Sequence, residues 1–133
     1  MQHQYIELVA ILAVLQFFFF GAMTGQARRN SGLKAPAISG NEEFERMYRV
    51  QINTLEMLVA FLPALFIAGK YWSGTLIAGI GAIYLAGRIV YWRAYVTSPP
   101  TRGIGFFLSM LPTAALIVLA LLGIIQTLIG FNV

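Results

Sequence analysis

Residues 45–56, ERMYRVQINTLE, run without a break into the apolar segment 57–68, MLVAFLPALFIA. At about 100° per residue on a helix, Glu45, Arg49, Asn53 and Glu56 fall within about 80° of one another. One helix therefore carries a charged and amide-bearing stripe and then continues as a hydrophobic segment of the kind found in membranes.

The depth of this stripe follows from the length of the helix. The apolar segment covers about 18 Å, which is too short for a hydrocarbon core of about 30 Å, so the span must reach back from Lys70 to about Val50. Asn53 and Glu56 then lie below the membrane surface, with Arg49 at its rim. An ionised side chain near the bilayer centre costs about 2.5–3.5 kcal/mol, so these groups are expected to face protein, a cavity or a ligand. The alternative is a solvated helix extension with ordinary salt bridges.

Composition indicates an integral membrane protein with one domain, residues 1–133. The chain is 59% hydrophobic and only 11% charged, whereas soluble domains average roughly 25% charged residues. The absence of Cys excludes disulfides, thiolate metal sites and a protein thiol nucleophile. One His and five scattered acids indicate no metal site. The net charge of +4 lies at the ends of apolar segments, which is typical of membrane topology and not of nucleic-acid binding.

Apolar segments separated by helix-breaking residues predict an all-α bundle of four transmembrane helices, at about residues 3–29, 42–70, 74–96 and 99–131. The first segment lacks the basic leader and the cleavage site of a signal peptide, so we expect it to be retained. Asn41 is expected to cap the second helix. Ser98 is expected to cap the fourth, with Pro99 at its first helical position.

The third predicted helix has two different faces. Tyr84, Arg88, Tyr91 and Tyr95 lie within about 60° of one another. Alanines at positions 78, 82 and 86 lie on the opposite side, where small residues favour close helix packing.

The distribution of basic residues predicts the orientation in the membrane. Lys70 marks one side, and the other Lys and Arg residues belong to the side of the first and third connections: Arg28, Arg29, Lys34, Arg46, Arg49, Arg88, Arg93 and Arg102. The positive-inside rule places these connections in the cytoplasm and both termini on the opposite side.

Counting outward from the turn between the second and third helices brings the polar residues together. Glu56 and Tyr84 lie about 14 residues from the turn, and Arg49 and Tyr91 about 20, so each pair shares a depth. Arg102 and the two arginines that end the first helix reach the same rim. The predicted pocket is cationic and lined with tyrosine. It suits a ligand with several carboxylates, held by arginines, and an amine, held by Glu56.

The pattern Glu45-Arg46-x-x-Arg49-x-x-x-Asn53-x-x-Glu56 resembles the signature of the MAPEG family (membrane-associated proteins in eicosanoid and glutathione metabolism). Three further features match in order along the chain: Ala27-Arg28-Arg29, Arg88-x-x-Tyr91-x-x-x-Tyr95, and Arg102. The pattern is most similar to the branch of leukotriene C synthase and microsomal glutathione transferase.

This resemblance implies a homotrimer with three glutathione sites between neighbouring subunits. One subunit would supply five glutathione-binding residues: Arg49, Asn53, Glu56, Tyr91 and Tyr95. Arg28 and Gln51 would come from the next subunit. Arg102 would stabilise the glutathione thiolate, and Arg29 would assist the second substrate. Met57 replaces a tyrosine found in the most similar relatives and removes one hydroxyl contact.

The implied activity is conjugation of glutathione to lipophilic electrophiles that enter from the bilayer, with peroxidase activity toward lipid hydroperoxides as a further possibility. Three alternatives remain at this point. They are a glutathione-dependent isomerase of the prostaglandin E synthase type, a non-catalytic lipid-binding member of the family, and a small four-helix drug exporter. The exporter would be expected to carry an acid at mid-depth in the first helix, where this chain has none.

Overall fold

A computed structural model of the protein describes residues 2–130. It contains α1 (Gln2–Ser31), α2 (Glu42–Tyr71), α3 (Gly74–Thr97), a 3-10 turn (Pro99–Thr101) and α4 (Gly103–Leu128). All four α-helices are long and apolar enough to cross a membrane. The predicted all-α, four-helix membrane fold is therefore confirmed. Residue 131, the expected end of the fourth helix, lies outside the described residues.

The helix starts show how local sequence sets the boundaries. Asn41 caps α2 as predicted, because its Oδ1 accepts a 2.9 Å hydrogen bond from the backbone N–H of Phe44. The fourth helix differs from the prediction, since Ser98 makes no side-chain capping bond and α4 begins only at Gly103. Pro99 and Pro100 have no N–H to donate. The two N–H groups that follow them bond three residues back, at 2.9 and 3.1 Å, which is the 3-10 pattern.

The helices follow the order α1, α2, α4, α3 around the bundle, and α2 and α3 also pack against each other across its centre. One buried cluster extends from the middle of the bundle toward the turn between α2 and α3, and within it the rings of Phe61 and Tyr84 stack at 3.8 Å. A second buried cluster lies near the end that carries the first and third connections and includes Phe20 and Phe44. The bundle core thus extends up to the level of the polar residues.

The packing face of α3 corrects one expectation. Of the three alanines expected to pack, Ala78 is buried, but Ala82 and Ala86 are exposed in the single chain. Gly81 and Gly87 are buried instead. A Cβ added at Gly87 would lie 2.6 Å from the backbone carbonyl carbon of Leu108, so α3 and α4 approach closely here. The close contact lies on the tyrosine and arginine face of α3, because the bulky polar side chains need small neighbours beside them to fit between helices.

Candidate functional site

The polar residues of three helices surround one cavity at the end of the bundle that carries the first and third connections. The cavity measures about 180 Å³ and is lined by Arg49, Ile52, Asn53, Glu56, Tyr91, Tyr95 and Arg102. A neighbouring cavity of about 470 Å³ shares Asn53, Tyr91 and Arg102 with it and extends toward Pro100 and Phe106. We call these two spaces together the polar cavity. Six of the nine residues that the sequence analysis singled out line it.

Helical spacing explains how the polar cavity is built. Arg49, Asn53 and Glu56 stand on successive turns of α2, so their side chains leave the helix on the same side. Tyr91 and Tyr95 are one turn apart on α3, and their ring centroids lie 5.5 Å from each other. The 3-10 turn then places Arg102 directly before α4, with its guanidinium carbon 5.4 Å from the Tyr95 ring. Three separate chain segments therefore meet at one level.

Arg88 lies beneath the polar cavity and is completely buried, with 0% of its surface exposed. Its Nε donates to Ser109 Oγ at 2.8 Å, and its Nη1 donates to Asn53 Oδ1 at 2.8 Å and to Thr54 Oγ1 at 3.1 Å. Its guanidinium carbon also lies 4.4 Å from the centroid of the Tyr91 ring. Arg88 thus joins α2, α3 and α4 and holds two residues that line the cavity. The sequence predicted no separate role for Arg88 and none for Thr54 and Ser109, whose only signal is a small hydroxyl within an apolar helix.

The charges in the polar cavity are available to a ligand. Arg49, Glu56 and Arg102 are exposed. Within residues 2–130 the ion pairs are those of His3 with Glu7 and of Arg46 with Glu42, so none of these three takes part in one. Arg102 donates one hydrogen bond, from Nη1 to the carbonyl oxygen of Pro99 at 2.9 Å, and its remaining N–H groups can bind an anion. The unpaired N–H groups in the first turn of α4 add positive potential at the same place.

An apolar cavity of about 360 Å³ adjoins the polar cavity between α2 and α4. It shares Asn53, Glu56 and Phe106 with the polar cavity and is otherwise lined mostly by apolar residues, among them Met57, Ala60, Met110 and Ala114. A polar anion held by the arginines would therefore meet a lipophilic molecule at Asn53 and Glu56. The arrangement suits a reaction between a water-soluble and a membrane-soluble compound.

Arg28, Arg29 and Gln51 do not line the polar cavity of their own chain. Arg28 Nη1 donates to the carbonyl oxygen of Ala37 at 2.9 Å, and its guanidinium carbon lies 4.5 Å from the Phe44 ring. Arg29 is exposed near the end of α1. Gln51 faces α1, where a Cβ added at Gly21 would lie 3.5 Å from its Nε2. These three residues occupy the α1 and α2 side of the bundle, and their expected roles stay predictions.

Comparison with known proteins matches residues 6–122 to the model of the MAPEG family. The chain is 41% identical to an uncharacterized protein of Synechocystis sp. over 91% of this chain and 88% of that protein. It is 35% identical to microsomal glutathione S-transferase 2 of Homo sapiens, over 87% of this chain and 79% of that protein. It is 34% identical to leukotriene C4 synthase of Cavia porcellus, over 88% and 78% respectively. The family match covers most of the chain and the relatives agree with it, so this protein belongs to the MAPEG family.

Proposed function

We propose that this protein is a membrane glutathione transferase that joins the glutathione sulfur to lipophilic electrophiles. The observation that carries the proposal is the meeting of the polar cavity with the apolar cavity at Asn53 and Glu56. Two relatives, named as a glutathione S-transferase and a leukotriene C4 synthase, support the same chemistry.

The polar groups fit the functional groups of glutathione, which has two carboxylates, one ammonium and a thiol. Arg49 pairs with a carboxylate and Glu56 with the ammonium. The amide N–H₂ of Asn53 donates to the ligand, because the bond from Arg88 turns the amide oxygen away from it. The hydroxyls of Tyr91 and Tyr95 provide further hydrogen-bonding groups for glutathione. Arg102 is nearest to the start of α4, where the positive potential favours the thiolate.

The open side of the polar cavity favours a homotrimer. Arg49, Glu56 and Arg102 are exposed in the single chain, so one face of the ligand would remain uncovered. A neighbouring subunit would cover it with its α1 and α2 side and bring Arg28 and Gln51 to the glutathione. Arg29 of that neighbour would then stand beside the second substrate.

The proposed reaction depends on ionisation of the thiol. A free thiol has a pKa of about 8.5, so only a few per cent is thiolate at neutral pH. The Arg102 guanidinium is already protonated and cannot take the proton, which leaves to water, but its charge stabilises the resulting anion. The sulfur attacks an electrophilic carbon in the apolar cavity, a carbon–sulfur bond forms, and a leaving group such as chloride departs with the electron pair. In the corresponding peroxidase reaction the thiolate attacks the terminal oxygen of a lipid hydroperoxide, the O–O bond breaks, and the lipid alkoxide leaves and takes a proton from water. A second glutathione then converts the resulting sulfenic acid to the disulfide, and water is released.

A glutathione titration followed at the absorbance of the thiolate tests this proposal. We expect an anion band with the parent protein, loss of that band in Arg102→Ala, and retention in Lys34→Ala, which removes an exposed cation from the first connection. Conjugation to a chlorinated nitrobenzene should fall on the order of 100-fold in Arg102→Ala. A band that persists at full strength in Arg102→Ala would overturn the role of Arg102. Glutathione binding with no turnover in the parent would instead favour a lipid-binding member of the family.

We also propose that the first and third connections lie in the cytoplasm, with both termini on the opposite side. The chain has no Cys, so one introduced cysteine provides a unique label. A maleimide that does not cross membranes, added to sealed cells, should label Thr75→Cys, at the start of α3 beside its turn from α2, and leave Ser39→Cys unlabelled until the cells are opened. The reverse result would invert the orientation.

A further inference from the structure

A second groove lies on another face of the bundle, between α1 and α3. It measures about 600 Å³ and its walls include Leu12, Leu15, Phe19 and Phe20 of α1 and Ile89 and Trp92 of α3. Gln16 also borders it, but its Nε2 donates to the carbonyl oxygen of Leu85 at 3.0 Å and its Oε1 is buried. The amide is therefore turned onto α3, and the groove presents an apolar surface.

A polar pocket of about 270 Å³ adjoins this groove at the end of the bundle that carries the first and third connections. Trp92 borders both spaces. The floor of the pocket is apolar and includes the buried Ala27 and Met47. Its mouth carries two amides, Gln26 and Asn30, one anion, Glu43, and one cation, Arg93. The arrangement combines an apolar channel with a charged entrance.

The two charges at the mouth are not neutralised by the protein. Neither Glu43 nor Arg93 belongs to an ion pair within the described part of the chain. The guanidinium carbon of Arg93 lies 5.3 Å from the centroid of the Trp92 ring, which orients this cation beside the groove. A ligand that matches both charges of this one pocket must carry both an anion and a cation.

The dimensions fit a lipid. Leu12 and Phe20 are eight residues apart on α1, or about 12 Å, and half of a hydrocarbon core of 30 Å is about 15 Å. The apolar groove therefore has the depth of one leaflet. Asn30 lies about 15 Å further along α1 than Phe20, which places the polar pocket at the level of the head groups.

We propose that the groove and its polar pocket together bind one phospholipid whose head group carries a primary ammonium. Its phosphate lies against Arg93, its ammonium against Glu43, and an acyl chain fills the space between α1 and α3. A fatty acid would leave Glu43 facing a second anion. A quaternary ammonium has no N–H to donate to Glu43 or to the oxygens of Gln26 and Asn30. This site shares no lining residue with the polar cavity and does not depend on the proposed function.

Native mass spectrometry of the detergent-purified full chain tests the proposal, with phosphatidylethanolamine, phosphatidylcholine and phosphatidylglycerol offered in equal amounts. We expect about tenfold preferential retention of phosphatidylethanolamine, as one charge-assisted hydrogen bond would produce. Glu43→Gln should abolish this preference, and Arg93→Gln should weaken retention of all three lipids about tenfold. Lys34→Gln, an exposed cation outside the pocket, should behave as the parent.

Two further arms complete the test. Ile89→Trp should reduce retention of the phospholipid by filling the groove. An excess of soluble phosphoethanolamine should fail to displace it, because the head group alone lacks the apolar contact. Equal retention of phosphatidylethanolamine and phosphatidylglycerol by the parent, an unchanged preference in folded Glu43→Gln, or full displacement by phosphoethanolamine would each overturn the proposal. Glu43 is exposed, so the Glu43→Gln variant is expected to fold. Its lipid preference is therefore sufficient by itself to test the proposal.

Discussion

The guanidinium of Arg88 donates a 2.8 Å hydrogen bond from Nη1 to the amide oxygen of Asn53, across the contact between α3 and α2. Because this bond turns the amide oxygen toward Arg88, the N–H₂ group is turned to the other side, where it can donate to a ligand. The same guanidinium lies 4.4 Å from the Tyr91 ring and bonds to Ser109 on α4. One buried side chain therefore sets the orientation of two residues that line the polar cavity.

Replacing Arg88 by Met is expected to lower the thermal midpoint and raise the KM for glutathione about tenfold. The change removes the donor to the partly buried oxygen of Asn53 and to the buried oxygens of Thr54 and Ser109, at about 1–3 kcal/mol for each that stays unpaired. The conjugation assay and a circular dichroism melt measure both effects.

The Asn53→Asp variant tests the role of Asn53 in ligand binding without a loss of stability. The carboxylate still accepts from Arg88 and adds an opposite charge, so the thermal midpoint should be kept or raised. The substitution removes the N–H₂ donor, so the KM for glutathione should still rise about tenfold. A parental KM in a folded Asn53→Asp variant would contradict the orientation argument.

Met57→Tyr is expected to lower the KM for glutathione about fivefold. Met57 follows Glu56 on α2 and borders the apolar cavity, which leaves room for a larger side chain. A tyrosine here would add one hydroxyl, and one hydrogen bond contributes about 1 kcal/mol. Met57→Phe is the matched control, since it adds the ring without the hydroxyl. Equal KM values for the Tyr and Phe variants would show that the hydroxyl makes no contact.

Ala114→Phe should reduce the use of the electrophile without changing the binding of glutathione. Ala114 lines the apolar cavity, whereas the adjacent Ala115 is exposed outside it. A phenyl ring at position 114 occupies space meant for the second substrate, so the KM for a bulky electrophile should rise severalfold while the thiolate band stays constant. Ala115→Phe should change neither quantity. An unchanged KM in Ala114→Phe would place the electrophile elsewhere.

Gly87→Ala is expected to destabilise the bundle by about 1–3 kcal/mol, because the added methyl group would meet the backbone of Leu108 and Ser109 at 2.6–2.7 Å. Gly79 on the same helix has nothing within 4 Å of an added Cβ. Gly79→Ala should therefore be neutral or stabilise by up to about 1 kcal/mol. Thermal melts in detergent compare the two variants, and equal midpoints would refute the close contact between α3 and α4.

The sequence alone was sufficient to predict the helices and most of the residues that line the polar cavity. Long apolar segments define membrane spans because no other local structure satisfies the backbone inside a bilayer. The positions of Arg49, Asn53 and Glu56 follow from the helical repeat, so their common face needed no coordinates. The late start of α4 was missed because Ser98 and Pro99 also suit an ordinary capped helix, and the tandem prolines decided otherwise.

The tertiary structure decided the contacts between helices, which the periodicity of each helix taken alone does not predict. The rotation of each helix toward its neighbours determines that Arg88 is buried and bonded to α2 and α4. It also determines that Gly81 and Gly87 pack between helices, whereas Ala82 and Ala86 do not. The groove between α1 and α3 depends on the same rotation, because its walls come from residues about 70 positions apart. Helix formation is local and is encoded residue by residue, whereas the angle and depth at which helices meet come from packing all of their side chains at once.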